Sequence, residues 1–352
     1  MGTKTNQSGI NFWIISASIV IIIAGMKAAA NIVTPLFLAL FIATICIGPF
    51  IWFNERGLPE WLSIIIIILL ILFISISVVL FIGSSIPGFV DRAPFYGQKL
   101  SLYWENVNRW LVQKGWAGND SILFQSINPK SIMTLAGKLF SGIGDLMSNL
   151  VMVLLIVLFL LLEMSLLNKK IKVIKPGSVA SINTIIRNIR KYFGTKTITS
   201  LVTGILITIG LAIIGVDFPL LWGFLAFVLN YIPNIGSIIA AIPAVLLALV
   251  QIGPGSAFAT IFIYILVNGI IGNVVEPKMM GKNLGISTLV IFISLIFWGW
   301  LLGTVGMLLA VPLTITVKLI LDEIDETKWL GILLGNETSL NNLKKSDENN
   351  SY

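Results

Sequence analysis

PLLWGFLAFVLNYIPNIGSIIAAIPAVLLALVQ, Pro219–Gln251, and LGISTLVIFISLIFWGWLLGTVGMLLAVPLTITVK, Leu284–Lys318, are almost free of charge, yet each is broken mid-run by glycine, proline or asparagine. An apolar run of about 20 residues is expected to cross a bilayer as one helix, because its backbone hydrogen bonds must be made internally. These two runs are not built that way. As a helix, the arm Leu220–Asn230 reaches roughly 16 Å, about half of the hydrocarbon core. Irregular backbone at that depth must be packed in protein or line a polar cavity, and paired interrupted segments point to a transporter's binding region. The alternative is two ordinary helical hairpins with tight interfacial turns.

Composition sets the class. The chain is 57% hydrophobic and 11% charged, its mean hydropathy is +0.97, and apolar runs recur along most of it. This is the composition of an all-α polytopic integral membrane protein. The one cysteine, Cys46, lies in an apolar run, so a disulfide framework and a thiolate metal cluster are both excluded. Histidine is absent, which removes the commonest general base and metal ligand. No GxxxxGKS/T phosphate loop occurs, and nothing points to an ATP-driven pump. The chain reads as a non-enzyme with no cofactor and no metal.

The apolar runs give about six full spans, at 10–30, 33–53, 61–86, 147–167, 198–216 and 256–275, plus the two broken hairpins at 219–251 and 284–318. Ile10–Met26 is followed by Lys27-Ala28-Ala29-Ala30, small residues that mimic a signal-peptidase site. The run is longer than a typical signal-peptide core and leads into further spans, so it reads as a retained first helix. Five sections follow. Residues 1–86 carry spans one to three, and 87–146 form an extracytoplasmic amphipathic segment. Residues 147–216 carry spans four and five around a basic loop at 168–197. Residues 219–320 form the core with both hairpins, and 321–352 form a tail. In the external segment Tyr96, Leu100, Tyr103, Trp104, Val107, Trp110 and Leu111 recur at helical spacing, which suits packing or interfacial anchoring.

Orientation follows from Lys and Arg. Lys169, Lys170, Lys172, Lys175, Arg187, Arg190, Lys191 and Lys196 occur between spans four and five with no acidic residue among them, so that loop is cytoplasmic. Counting spans places both termini inside and 87–146 outside. Within the loop, Ile182, Ile185, Ile186, Ile189, Tyr192 and Phe193 share a helical face, which suits a helix in an inner headgroup layer of anionic lipid. The net charge of +7 reports topology and anionic lipid, and nucleic-acid binding is not indicated. Parity also makes the two hairpins enter from opposite sides, an arrangement suited to alternating access.

The turns Asn230–Ser237 and Trp298–Gly306 contain no charge. Pro233, Gly236 and Pro243 break the first hairpin; Gly303, Gly306 and Pro312 break the second. Ala241-Ile242-Pro243 and Ala310-Val311-Pro312 echo each other at an offset of 69 residues. Asn230, Asn234, Ser237, Asn268 and Asn273 are the candidate solute-binding residues, since amides and hydroxyls beside freed backbone offer donors and acceptors to a small polar solute. Asn268 equally suits a bond within the helix bundle. Glu276 is a candidate proton-coupling group, or the partner of Lys278 or Lys282. Lys27 and Glu163, at span ends, read as snorkelling side chains.

The strings Asn230–Gly236 (NYIPNIG), Gly272–Gly281 (GNVVEPKMMG) and Gly303–Pro312 (GTVGMLLAVP) resemble signature segments of the autoinducer-2 exporter (AI-2E) family. The resemblance runs from about Ile10 to Leu321 and is strongest after residue 219. It implies a permease of the bacterial cytoplasmic membrane with both termini inside, forming homo-oligomers, in particular pentamers, with elevator-like movement of the hairpin region. It implies export of the quorum-sensing furanone autoinducer-2, or sodium/proton exchange as in some relatives. Thr288, where the family often has proline, and the bulky Trp298-Gly299-Trp300 depart from its pattern. Three functions are therefore weighed: export of a small polar solute, cation/proton antiport using Glu276 or Asp217, and a non-transporting membrane scaffold.

Overall fold

A computed structural model describes residues 4–115, 149–174, 178–233, 235–280, 286–323 and 326–335. Asn234, Lys282, the stretch 116–148 and the tail 336–352 lie outside the described residues. The described chain is helical throughout: α1 (Lys4–Ala28), α2 (Ala30–Glu55), α3 (Glu60–Gln113), α4 (Leu150–Ile174), α5 (Ser178–Ile214), α6 (Pro219–Leu229), α7 (Ile235–Gln251), α8 (Pro254–Ile270), a π-helical stretch Ile271–Val275, α9 (Glu276–Met280), α10 (Thr288–Glu323) and α11 (Lys328–Leu334). Among the described residues, five stretches are long and apolar enough to cross a membrane: Ala30–Glu55, Glu60–Phe89, Ile186–Ile214, Pro254–Met280 and Thr288–Asp322. The protein is a multi-pass membrane protein. Trp13–Ala28 and Leu150–Glu163 are shorter apolar helical stretches at the first and fourth expected spans.

The helices divide into two compact units. One holds α1, nearly all of α2, α4, the start of α5, and α10–α11; the other holds α3, the rest of α5, and α6–α9. The two hairpins thus fall in different units, whereas residues 219–320 read as one section from sequence.

Two sequence boundaries differ from the structure. The third span runs over Glu60–Phe89, close to the expected 61–86, but its helix goes on beyond it: α3 is one helix of 54 residues with Pro87 and Pro94 inside it. The polarity shift at Pro87 marks where the helix leaves the apolar run, not where it ends. Phe89 and Tyr96 on this extension are buried, while Leu102 and Trp110 are exposed. Likewise the basic stretch is no separate headgroup helix, because α5 runs unbroken from Ser178 into the fifth span. Ile189, Tyr192 and Phe193, on the expected apolar face, are buried.

Both broken runs fold back, and by the same local means. In the first, α6 starts with Pro219 at its first turn and is joined to α7 by a turn at Asn230–Pro233. The Ile232 N–H donates to the Leu229 carbonyl at 2.9 Å and the Gly236 N–H to the Ile232 carbonyl at 3.2 Å. In the second, Gly303 has φ 70° and ψ −150°, conformations open to glycine. The Trp298 indole N–H donates to Thr314 Oγ1 at 3.1 Å, although sixteen residues of straight helix would separate them by about 24 Å. The chain therefore doubles back at Gly303. A Cβ on Gly236 would run into the Leu229 carbonyl and approach Ile232; one on Gly306 would run into the Trp298 carbonyl and approach Leu302. Both hairpins thus share glycine-on-carbonyl packing at their turns.

Gly236→Ala and Gly306→Ala should each cost about 1–3 kcal/mol, the range for overpacking. Gly269→Ala, where a Cβ meets nothing within 4 Å, should be neutral or stabilising by up to about 1 kcal/mol, as expected for glycine in a helix interior. Thermal unfolding in detergent compares the three.

Candidate functional site

Residues Thr195, Lys196, Thr199, Ser200 and Thr203 are all buried. Their spacing places them on one side of α5 over two turns, a polar stripe on an otherwise apolar helix. Breaks in two other helices reach this side of α5, at Ser200, at Lys196 and at the neighbouring, exposed Thr197. At the first hairpin turn, the Asn230 amide donates to Ser200 Oγ at 3.0 Å, and the Tyr231 hydroxyl donates to Thr197 Oγ1 at 2.8 Å. At the π-helical stretch, the Glu276 N–H bonds back to the Ile271 carbonyl, the wider spacing that re-aims the residues beyond it. Glu276 then meets Lys196, whose ammonium donates to both carboxylate oxygens, at 2.8 and 2.9 Å. The pair is little exposed, 5% for the Lys196 side chain and 17% for Glu276.

Charge is matched one to one here. Among the described residues, Lys196 is the charged member of the buried set, and its partner is Glu276. Two buried hydroxyls nearby on α5, Tyr192 OH and Thr203 Oγ1, have no hydrogen-bond partner among the described residues. A buried hydroxyl left unpaired is costly, so such groups mark places where a ligand or water completes the bonding.

The sequence candidates distribute unevenly. Asn230 and Glu276 are in the cluster, Glu276 with Lys196 as its partner in place of Lys278 or Lys282. Asn268 donates to its own helix, at the Tyr264 carbonyl, 2.7 Å. Asn273 is exposed on the π-helical stretch, and Ser237 is half-buried in the first turn of α7. Pro233 is half-buried in the turn, and Gly236, Pro243, Gly306 and Pro312 are buried, while Gly303 is exposed. Lys196, Thr197, Ser200, Tyr192 and Thr203 escaped sequence reading because the lysine counted toward the basic loop. Their signal was present in the i, i+4 polar spacing of Lys196-Ser200 and Thr195-Thr199-Thr203.

Two other polar contacts are anchors. Asp217, weighed from sequence as an ion ligand, accepts from Arg92 at 2.7 Å and Tyr96 at 2.6 Å. Its N–H donates to Gln251 at 2.7 Å, which ties the start of the first hairpin to its end. Burial, then the hydrogen bond to Asp217, push the Tyr96 hydroxyl up to about 12. Lys27 does not snorkel away: its ammonium donates to the Trp300 carbonyl and lies 5.3 Å from that indole ring, close to the break at Gly303.

The profile of the AI-2E family transporter matches residues 17–326. The chain belongs to the AI-2E transporter family. It is 38% identical to the AI-2 transport protein TqsA of Escherichia coli K12, over 93% of this chain and 96% of that one. It is 39% identical to a candidate transport protein of Haemophilus influenzae Rd, over 91% and 94% of the two chains. It is 33% identical to the candidate transport protein YhhT of Escherichia coli K12, over 94% and 96%. In this AI-2E transporter the polar stripe, the hairpin turn and the π-helical stretch all fall inside the matched residues.

Removing either ionic partner strands the other's charge. Lys196→Met and Glu276→Gln should each destabilise by about 3–5 kcal/mol, and the double variant by less than their sum. A double-mutant cycle on thermal unfolding reads the difference. Tyr96 should stabilise fully below its ordinary value near 10, with that contribution lost as pH rises through about 12. Tyr96→Phe should remove this alkaline transition from the unfolding profile.

Proposed function

We propose that this AI-2E transporter exports a small, neutral, hydroxylated solute by alternating access, with AI-2 as the first candidate. The observation that carries this reading is the charge-matched polar cluster under the first hairpin turn. Lys196 and Glu276 cancel each other at 2.8 Å, so the cluster presents amide and hydroxyl groups with no net charge to attract an ion. Asn230, Ser200, Tyr192 and Thr203 supply donors and acceptors in the pattern a polyol-like molecule uses. The name of TqsA, the 38% identical relative, favours AI-2 among such molecules.

In this proposal Asn230 and Ser200 release one another to bind the solute, and the turn carries it as the hairpin moves. Ser237 and Asn273, beside the two breaks, and Asn234 complete the binding set. Both hairpins are re-entrant and entered from opposite sides, with the basic stretch and both termini in the cytoplasm. The chain works in the bacterial inner membrane as a homo-oligomer with elevator-like movement. Charge asymmetry supports the orientation, and the family resemblance supports the assembly.

A second reading, sodium/proton antiport, is favoured by one contact. Both Glu276 oxygens face a single ammonium, and a metal cation or a proton on the carboxylate would displace Lys196.

Reconstituted vesicles separate the readings. Asn230→Ala and Ser200→Ala should each lower AI-2 flux by roughly tenfold, the weight of one lost hydrogen bond of about 1.5 kcal/mol, and added sodium should leave a preset proton gradient intact. Unchanged flux in both variants would sink the site assignment. Collapse of the gradient on adding sodium would establish antiport.

A further inference from the structure

We infer that a membrane phospholipid occupies a groove between α3, α5 and α6, with an acyl chain in the groove and its phosphate at Arg92. The groove has a volume of about 470 Å³, and its walls include Phe73 and Phe81 of α3, Ile205 and Ile209 of α5, and Phe224 and Phe227 of α6. Two glycines let α5 and α6 come together at its floor. A Cβ on Gly204 would lie 2.8 Å from the Gly223 carbonyl, and one on Gly223 would run into the Thr208 hydroxyl. The helices meet there and the aromatic side chains stand apart on either side.

Its occupant is apolar. The two hydroxyls in the lining, Ser77 and Thr208, donate to carbonyls of their own helices, at 2.7 Å to Phe73 and 2.8 Å to Gly204. A sugar-like solute would find no partner, so this groove is distinct from the polar cluster. It opens toward the bilayer, since Phe73, Ile205 and Leu220 at its rim are 69%, 49% and 62% exposed. The open apolar groove has room for part of one acyl chain.

The phosphate position follows from α3. Arg92 lies just beyond the apolar stretch that ends at Phe89, held by one guanidinium nitrogen on Asp217 and 60% exposed. It also lies over the Phe218 ring at 5.7 Å, and Phe218 begins the hairpin whose Leu220 and Phe224 line the groove. From Arg92 to Phe81 is eleven residues of α3, about 16 Å, close to the roughly 15 Å depth of one leaflet's hydrocarbon. A lipid with its phosphate at Arg92 therefore lays the end of its chain in the groove.

The test uses the full chain in nanodiscs with phosphatidylglycerol carrying a diazirine near the chain end, and diacylglycerol with the same chain. Photolabelled peptides are mapped by mass spectrometry. The phospholipid should label Phe73–Phe81 and Leu201–Ile209 more strongly than the exposed Phe258 and Phe262 of α8. The diacylglycerol should label the groove about twofold less, because it offers no acceptor to the Arg92 N–H groups that Asp217 leaves free, an exposed and screened contact. Ser77→Phe with Ile205→Phe should cut groove labelling and leave α8 unchanged. Even labelling of all exposed faces, absence of label from the groove, or equal labelling by the two probes would each overturn the assignment. The readout does not involve transport, so it stands or falls separately from the solute site.

Discussion

A helix that breaks within an apolar run leaves carbonyls and amides outside its regular bonding, and both breaks in this chain are built around that constraint. The first hairpin meets it in two ways. Backbone bonds close the turn from Leu229 to Gly236, and the side chains of Asn230 and Tyr231 bond out to Ser200 and Thr197 on α5. The second hairpin meets it with Gly303, with the Trp298-Thr314 bond between its arms, and with Lys27 on the Trp300 carbonyl. In both, glycine on the returning arm packs directly on a carbonyl of the first. Local backbone necessity thus places polar side chains where apolar ones would otherwise sit.

The ion pair extends the same logic to charge. A lysine about fifteen ångströms along a spanning helix by the usual rise is tolerated because Glu276 meets it with both oxygens. The π-helical stretch brings that carboxylate to the lysine. Such a pair contributes little net stability, because desolvation offsets its attraction. Its retention in a buried position is better accounted for by what it does to the site: it leaves a polar, ordered and electrically neutral surface.

Much of the fold was legible from residue order. The apolar runs gave the all-α membrane class, and Gly303 with its neighbours gave the second break. The pairing of Pro243 with Pro312 foreshadowed the matched turns. Helix ends were less legible. Pro87 and the charge shift after it suggested a boundary, but α3 continues because its extension is held by Tyr96 and Arg92 on Asp217, a contact between residues 121 and 125 positions apart. The site was half legible for the same reason. Asn230 and Glu276 sit in visible motifs. Lys196 and Ser200 acquire meaning only when tertiary packing sets α5 against both breaks.

In the proposed function, the α5 stripe at Ser200 lies on the path of a solute. Cys46 is the chain's single cysteine, so Ser200→Cys in a Cys46→Ala background gives one reporter thiol. The measurement is its reaction with a membrane-impermeant methanethiosulfonate, applied from each side of oriented vesicles in turn. The account predicts reaction from both sides, slowed by added solute and accompanied by loss of flux. A thiol inert from both sides, in a protein that still transports, would show the stripe to be dry packing and contradict the account.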